Sequence, residues 1–391
     1  MVRSQFDQPT NRSGLNSIKW DKAGEIYGCS DLIPMWVADM DFPPPQSIIE
    51  ALVSRAKRGF YGYEAVPSGY LESFAAWLHD RHDWDVPQEW ITYSPGVVSG
   101  LSLALQTFTQ PGDKIVIQPP VYQPFFSMVE RNDRQVVENP LIVENGRYTI
   151  DFAELERLFQ TGARTFIFCS PHNPVGRVWS REELEQLAAL IIRYDVLTLT
   201  DEIWSDLTLP GHKHFSLAKV SSEVADRCIT FMAPSKTFNL AGFYLSNVII
   251  PNEELRRKYK MAKAKLGLAE LNTFGAAGAE AAYRTGAQWL DELREYLQGN
   301  VDFVLDELAQ RIPGIKVIPP EGTYLLWLDC RELPIKHDEL NRFFAQKAGV
   351  AFNDGAMFGK QGAGFQRMNI ACPRSTIAQA LKQIEEALSQ Q

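Results

Sequence analysis

Cysteine is scarce in this 391-residue chain: Cys29, Cys169, Cys228, Cys330 and Cys372 are scattered, odd in number and never spaced as CxxC. That pattern predicts neither a disulfide framework nor a thiolate zinc site, and the thiols read as reduced. Long apolar runs are missing too. No stretch approaches the roughly 18 consecutive apolar residues of a membrane helix, and the N-terminal "MVRSQFDQPTNRSGLNSIKW" has no apolar core of signal-peptide length. The expected setting is cytoplasmic, with no membrane partner. Positive charge is in deficit, 39 Lys and Arg against 48 Asp and Glu, for a formal charge of −9. The nearest approach to a basic block, "RRKYKMAKAK" (256–265), reads as a solvated helix face, so nucleic acid is not an expected partner. His79 and His82 stand three apart on a predicted helix with no third ligand nearby, and read as exposed surface groups, not a metal site.

What is present is a globular composition, 45% hydrophobic and 22% charged, with no short repeat or low-complexity tract. The length suits one large domain with a smaller companion. From about residue 90 to 250, short apolar runs alternate with amphipathic stretches: "DKIVIQPP", "RTFIFCSPHNPVG", "VLTLTDEIW", "RCITFMAPSK" and "FYLSNVII" read as strands. Between the second and third, "SREELEQLAALIIRYD" carries a capping box, Ser180 with Glu183, and an apolar face of Leu184, Leu187, Ala188 and Ile191. Repeated strand-helix-strand units predict an α/β fold with a mainly parallel sheet flanked by helices. After Gly286 a long helix leads into a smaller α+β region. The expected division is an N-terminal segment (1–48) joining the small domain, a large domain (49–286) and a small C-terminal domain (287–391).

In such sheets ligands sit beyond the carboxyl ends of the strands. The second run leads to Asn173, the third to Asp201 and Glu202, and the fourth to Lys236, a lysine set among Phe231, Met232 and Phe238 where an ammonium is costly to bury. An amine, a carboxylate and an amide match what pyridoxal phosphate needs: a Schiff-base partner for its aldehyde, an anion for its ring nitrogen and a donor for its phenolate oxygen. In "YSPGVVSGL" (93–101), Gly96 permits close backbone approach and the helix that follows offers its N-terminal amides to a phosphate, with Ser94 and Ser99 as possible hydroxyl donors. Tyr122, in "PPVYQPFF", is placed to stack on a planar ring.

From about residue 30 onward the sequence resembles the fold type I pyridoxal-phosphate enzymes and, within them, cystathionine beta-lyases of the MalY/PatB type. The resemblance is carried by "MWVADMDF", "YGY" (61–63), "YSPGVVSGL", "PPVYQPF", "PHNPVGRVW", "TDEIWSDL", "APSKTFNLAG" and "FQRMNIACPR", in that order; the first thirty residues fit less closely. It implies that Lys236 is the Schiff-base lysine, that Asp201 partners the pyridine nitrogen, Asn173 the phenolic oxygen and that Tyr122 stacks on the ring. The phosphate would be held by the amides of Gly96, Val97 and Val98, and the substrate α-carboxylate by Arg367, whose planar fork suits it. Tyr63 would reach the partner subunit's site, implying a homodimer with shared active sites. Three positions depart from the relatives' pattern: Trp204 stands where a tyrosine or histidine is common, and Ala233 and Tyr244 replace a serine and a basic residue that serve the phosphate, leaving Ser235 or main-chain donors to compensate. Met35, Trp36 and Phe42 suggest an apolar rim or interdomain packing.

The reaction so implied is β-elimination at the Cβ–S bond of cystathionine, cysteine or a cysteine S-conjugate, with Lys236 moving the Cα proton and Lys236, Tyr122 or a water protonating the leaving sulfur. An aminotransferase needs the same lysine, carboxylate and arginine and is the alternative. A cofactor-binding regulator or interaction protein is the reading from a different class, against which stands the intact set of Lys236, Asp201 and Arg367.

Overall fold

The computed structural model describes residues 4–390. Seven short strands form the central sheet: β1 (Ile91–Ser94), β2 (Lys114–Ile117), β3 (Gln135–Glu138), β4 (Thr165–Cys169), β5 (Leu197–Asp201), β6 (Cys228–Met232) and β7 (Ser246–Ile249). Their order is β1-β7-β6-β5-β4-β2-β3, and all run parallel except β7, which is antiparallel to both β1 and β6. This is the α/β architecture the alternating pattern predicts. β4 and β6 are buried at every position, which is why apolar residues dominate them without a polar-apolar alternation. The edge strand β3, "QVVE", is only partly covered and gave no such signal.

Six helices matter for the site: α1 (Ser68–His82), α2 (Val97–Phe108), α3 (Arg181–Tyr194), α4 (Pro234–Thr237), α5 (Glu253–Lys265) and α6 (Ala287–Arg311). The crossover helix α3 starts with the expected capping box: Glu183 N donates to Ser180 Oγ at 3.2 Å and Ser180 N to Glu183 Oε2 at 2.7 Å. Such a cap contributes about 1 kcal/mol. Leu184, Leu187, Ala188 and Ile191 are buried, turning the predicted face onto the sheet, where each large aliphatic side chain contributes about 1.5–3 kcal/mol.

Two residues depart from the exposed positions the sequence predicts. His82, at the last position of α1, is buried with Nε2 2.8 Å from Asp206 Oδ1, because the segment after β5 covers that helix end; His79 stays at the surface beside Asp85. On α5, Lys263 turns inward over β1, donating to Thr92 Oγ1 (3.0 Å) and Tyr93 O (3.2 Å). Burial, foremost, lowers its pKa to about 8.

The 25-residue helix α6, roughly 38 Å long, leads to a four-stranded antiparallel sheet of β8 (Lys316–Val317), β9 (Leu325–Asp329), β10 (Asn353–Asp354) and β11 (Phe365–Asn369), ordered β8-β9-β11-β10. The N-terminal segment reaches the same side of the molecule: Ile33 and Pro34 pair in parallel with Val350 and Ala351. Residues 12–20 also grip the stretch "MWVADMDF". Arg12 spans Asp39 and Asp41, Lys19 Nζ lies 2.8 Å from Asp41 Oδ2, and Trp20 Nε1 donates to Asp41 Oδ1 at 2.8 Å. Met35 and Phe42 are core residues, Phe42 lying edge-on to Phe6 and Tyr296, so only Trp36 of the suggested rim faces the cavity described next. Among the described residues, no helix is long and apolar enough to cross a membrane.

Candidate active site

A cavity of about 440 Å³ opens beyond the carboxyl ends of β4, β5 and β6, lined among others by Trp36, Gly96, Tyr122, Asn173, Asp201, Lys236 and Arg367. The strand ends set its floor. Asp201 closes β5, and its carboxylate is bonded only by the amide of Ile203, Oδ1 to N at 3.2 Å. Burial pushes its pKa up to about 7, against the pull of the Ile203 amide and the Lys236 charge. Asn173 lies four residues past β4 in a buried loop.

Lys236 stands on α4, a single turn capped by Phe238 N donating to Pro234 O at 2.9 Å. Its Nζ donates to the carbonyl of Ala38 at 2.7 Å and has no carboxylate bonded to it. Desolvation, then the nearby Arg367 charge, lowers its pKa to about 8, opposed by Asp39 and Asp201. Trp204 is buried with Lys236 Nζ 5.5 Å from its ring centroid, and it packs edge-on to Tyr324 at 4.7 Å. Tyr324 OH donates to the same Ala38 carbonyl at 3.0 Å.

Arg367 comes from the middle of β11. Its Nη1 donates to Asn173 Oδ1 (3.0 Å) and its Nη2 to Asn353 Oδ1 (2.6 Å) and Trp36 O (3.1 Å), while Nε is buried with no partner. All these acceptors are neutral. Desolvation lowers its pKa to about 10, and a buried cation without an anion is a costly arrangement unless a ligand supplies one. Accepting from Arg367 through Oδ1 leaves Asn173 Nδ2 as the donor on that side chain.

At the opposite edge, Gly96 adopts φ +86° and caps α2, a backbone state that L-residues rarely adopt. Gly100, one turn on, lets the helix approach β6, since a Cβ there would collide with Ser94 and the Phe231 ring. Val97, Val98, Ser99 and Ser235 line this end of the cavity. Ser94 does not: its hydroxyl faces the sheet, 2.7 Å from Ser246 Oγ and 3.0 Å from Gly96 O, which corrects its reading as a phosphate donor. Of the three departures, Trp204 and Tyr244 line the cavity while Ala233 is buried at the start of α4. Tyr244 holds φ +49° and is 71% exposed. Tyr63 lies outside this cavity, fully exposed beside Phe60 and Tyr61.

Sequence reasoning placed Lys236, Asp201, Asn173, Tyr122, Gly96, Val97, Val98, Ser235 and Arg367 at one site, and the fold brings all of them to one cavity. It missed Asn353 and the carbonyl of Ala38. Neither has a motif of its own, although Ala38 lies inside "MWVADMDF".

A lone arginine, a poorly solvated carboxylate, a lysine bonded only to a peptide carbonyl and a glycine-led helix N-terminus are incompletely satisfied by the protein itself. A group bearing an aldehyde, a ring nitrogen and a phosphate, together with an amino-acid carboxylate, would satisfy all four, and the class so defined is the fold type I pyridoxal-phosphate enzymes. The chain belongs to the aminotransferase class I and II family, whose model matches residues 30–384. It is 44% identical to cystathionine beta-lyase PatB of Bacillus subtilis (strain 168) over 98% of this chain and 100% of that one. It is 31% identical to protein MalY of Escherichia coli (strain K12), covering 98% of each. Its fold is similar to that of cystalysin from Treponema denticola, whose crystal structure contains pyridoxal 5′-phosphate, with a TM-score of 0.96, 36% identity and 100% of both chains covered.

Proposed function

We propose that the protein is a pyridoxal-phosphate-dependent C–S β-lyase of the cystathionine beta-lyase type. It cleaves the Cβ–S bond of cystathionine, cysteine or cysteine S-conjugates with uptake of one water, giving a thiol, pyruvate and ammonia. The observation that carries this reading is the convergence of Lys236, Asp201 and Arg367 on one cavity; the likeness to PatB favours elimination among the reactions such a site supports.

When bound, pyridoxal phosphate supplies the electron sink that makes the substrate's Cα proton removable. The chain's residues do the rest. Lys236 would anchor the cofactor and its amine would take the Cα proton, a role favoured by the burial that lowers its pKa to about 8 in the cofactor-free protein. Asp201 would hold a proton on the ring nitrogen, Asn173 Nδ2 would donate to the phenolic oxygen, and Tyr122 would pack against the ring. The amides of Gly96, Val97 and Val98, with Ser235, hold the phosphate. Arg367 would hold the α-carboxylate through its fork and so fix the amino acid's position relative to Lys236. Lys236, with Tyr122 as the second donor, protonates the departing sulfur.

Transamination is the second reading, because family membership covers it and every group named above serves it equally. The exposed run Phe60, Tyr61 and Tyr63 supports a homodimer in which Tyr63 completes the partner's site. The deciding experiment gives L-cystathionine to the cofactor-loaded protein without any 2-oxo acid. Pyruvate and free thiol released in equal amounts support the lyase; turnover only after a 2-oxo acid is added supports the aminotransferase.

A further inference from the structure

Behind the turn that carries Lys236 lies a buried carboxylate that the reaction above does not use. Asp206 takes Trp77 Nε1 (2.9 Å) and His82 Nε2 (2.8 Å) on Oδ1, and Thr237 Oγ1 (2.7 Å) on Oδ2. The Asp206 side chain is 6% exposed and Thr237 is fully buried. The His82 and Thr237 bonds hold the carboxyl below its ordinary pKa although burial pushes the other way. An anion is expensive in a core, so what it fixes is worth asking.

It fixes α4. One four-residue turn has too few backbone bonds to set its own orientation, and side chains anchor this one on two sides. Toward "MWVADMDF", Asn239 accepts from Met40 N and donates to Met40 O and Phe42 O, each at 3.0 Å. Toward α1, the anchor is the Thr237–Asp206 bond, one residue from Lys236. Trp77 and His82 are both α1 residues, and Lys219 Nζ donates to the His82 carbonyl at 2.7 Å, so the carboxylate is tied to a full-length helix and not to a loop.

We propose that Asp206 is a positioning residue for Lys236: through the Thr237 hydroxyl it sets the rotation of the α4 turn, and with it the direction from which the lysine amine enters the cavity. The proposal rests on the reading of Lys236 as the cofactor lysine. A displacement of about 1 Å at a reacting amine is enough to slow chemistry by as much as 10²-fold, without altering the affinity for substrate at Arg367.

Thr237→Val removes the hydroxyl and leaves Asp206 with Trp77 and His82. The full-length apoprotein is mixed with pyridoxal phosphate, and covalent attachment at Lys236 is followed by visible absorbance and by mass after borohydride reduction; kcat, KM and Tm are then measured on the loaded enzyme. The expected result is a roughly tenfold fall in both attachment rate and kcat, with KM within about twofold, Tm within a few degrees of the parent and both rates restored by Thr237→Ser. Should the valine variant not fold, Thr237→Ala gives the same comparison without the added branch. Attachment and turnover at parental rates, or a loss that serine does not restore, overturns the positioning role. Failure of the parent protein itself to attach the cofactor, so that it matches Lys236→Ala, overturns the reading of Lys236 instead.

Discussion

Arg367 Nη1 donates to Asn173 Oδ1 at 3.0 Å, joining β11 of the small sheet to the loop beyond β4 of the large one. The guanidinium thereby fixes which way the Asn173 amide faces. The group proposed to read an amino acid's carboxylate and the group proposed to read the cofactor's oxygen are thus one hydrogen-bonded unit.

Arg367→Lys breaks that unit while keeping the charge. A lysine cannot hold a carboxylate and Asn173 in one plane, so KM for the amino-acid substrate should rise roughly 10- to 100-fold, the loss expected for a charge-assisted bond. Cofactor content should not change. Steady-state kinetics with absorbance on the same preparation checks both, and an unchanged KM would remove Arg367 from substrate recognition.

Lys236→Ala should bind pyridoxal phosphate without covalent attachment and lose turnover by at least about 10³-fold, the combined worth of covalent anchoring and proton transfer. Mass spectrometry after borohydride treatment and pyruvate release are the two measurements. Turnover at the parental rate would refute the assignment.

Asp201 makes the apoprotein's stability depend on pH in a direction opposite to most carboxylates. Its folded pKa, about 7, lies above the unfolded value near 3.8, so between those values the folded state binds the extra proton and stability falls as pH rises. Asp201→Asn should therefore melt higher than the parent apoprotein at pH above about 7, with the gap closing as pH falls toward the unfolded pKa. Thermal melts across that range check the sign. The same variant should be poorly active when loaded with cofactor.

Shared active sites have a mixing signature. If Tyr63 crosses to the partner as proposed, Lys236→Ala and Tyr63→Ala should each be nearly inactive alone, yet hybrid dimers formed on refolding them together should contain one intact site. Statistical pairing then predicts about a quarter of parental activity for the mixture. No recovery above the separate variants would argue against Tyr63 crossing the interface.

How far the sequence could be read depended on what each residue needs from its neighbours. Asp201, Asn173 and Lys236 announce themselves because polar groups directly after buried apolar runs lie at strand ends, and the strands' own order then gathers them. Arg367 was reachable only through the resemblance, since nothing in "FQRMNIACP" itself says that β11 faces the large sheet. His82 and Lys263 were misplaced for a common reason: helical periodicity tells which side of a helix is polar but not whether another segment later covers it. Asp206, although inside "TDEIWSDL", and Asn353 were given no role, because their partners Thr237 and Arg367 are distant in the chain or set in no repeating pattern.

The grip of Arg12 and Lys19 on Asp39 and Asp41 has a consequence for the order in which the enzyme becomes competent during its own synthesis. Lys236 and Asp201 precede Arg367 in the chain, and the segment that holds the Ala38 carbonyl near Lys236 is clamped from both chain directions, by Arg12 and Lys19 before it and by Asn369, which donates to Val37 O and Asp39 O, far after it. On the roles proposed above, a growing chain carries the lysine meant for the aldehyde before it carries the arginine meant for the amino acid. On the proposed roles, cofactor attachment and substrate selection depend on segments made at different times, the second on the last strand made.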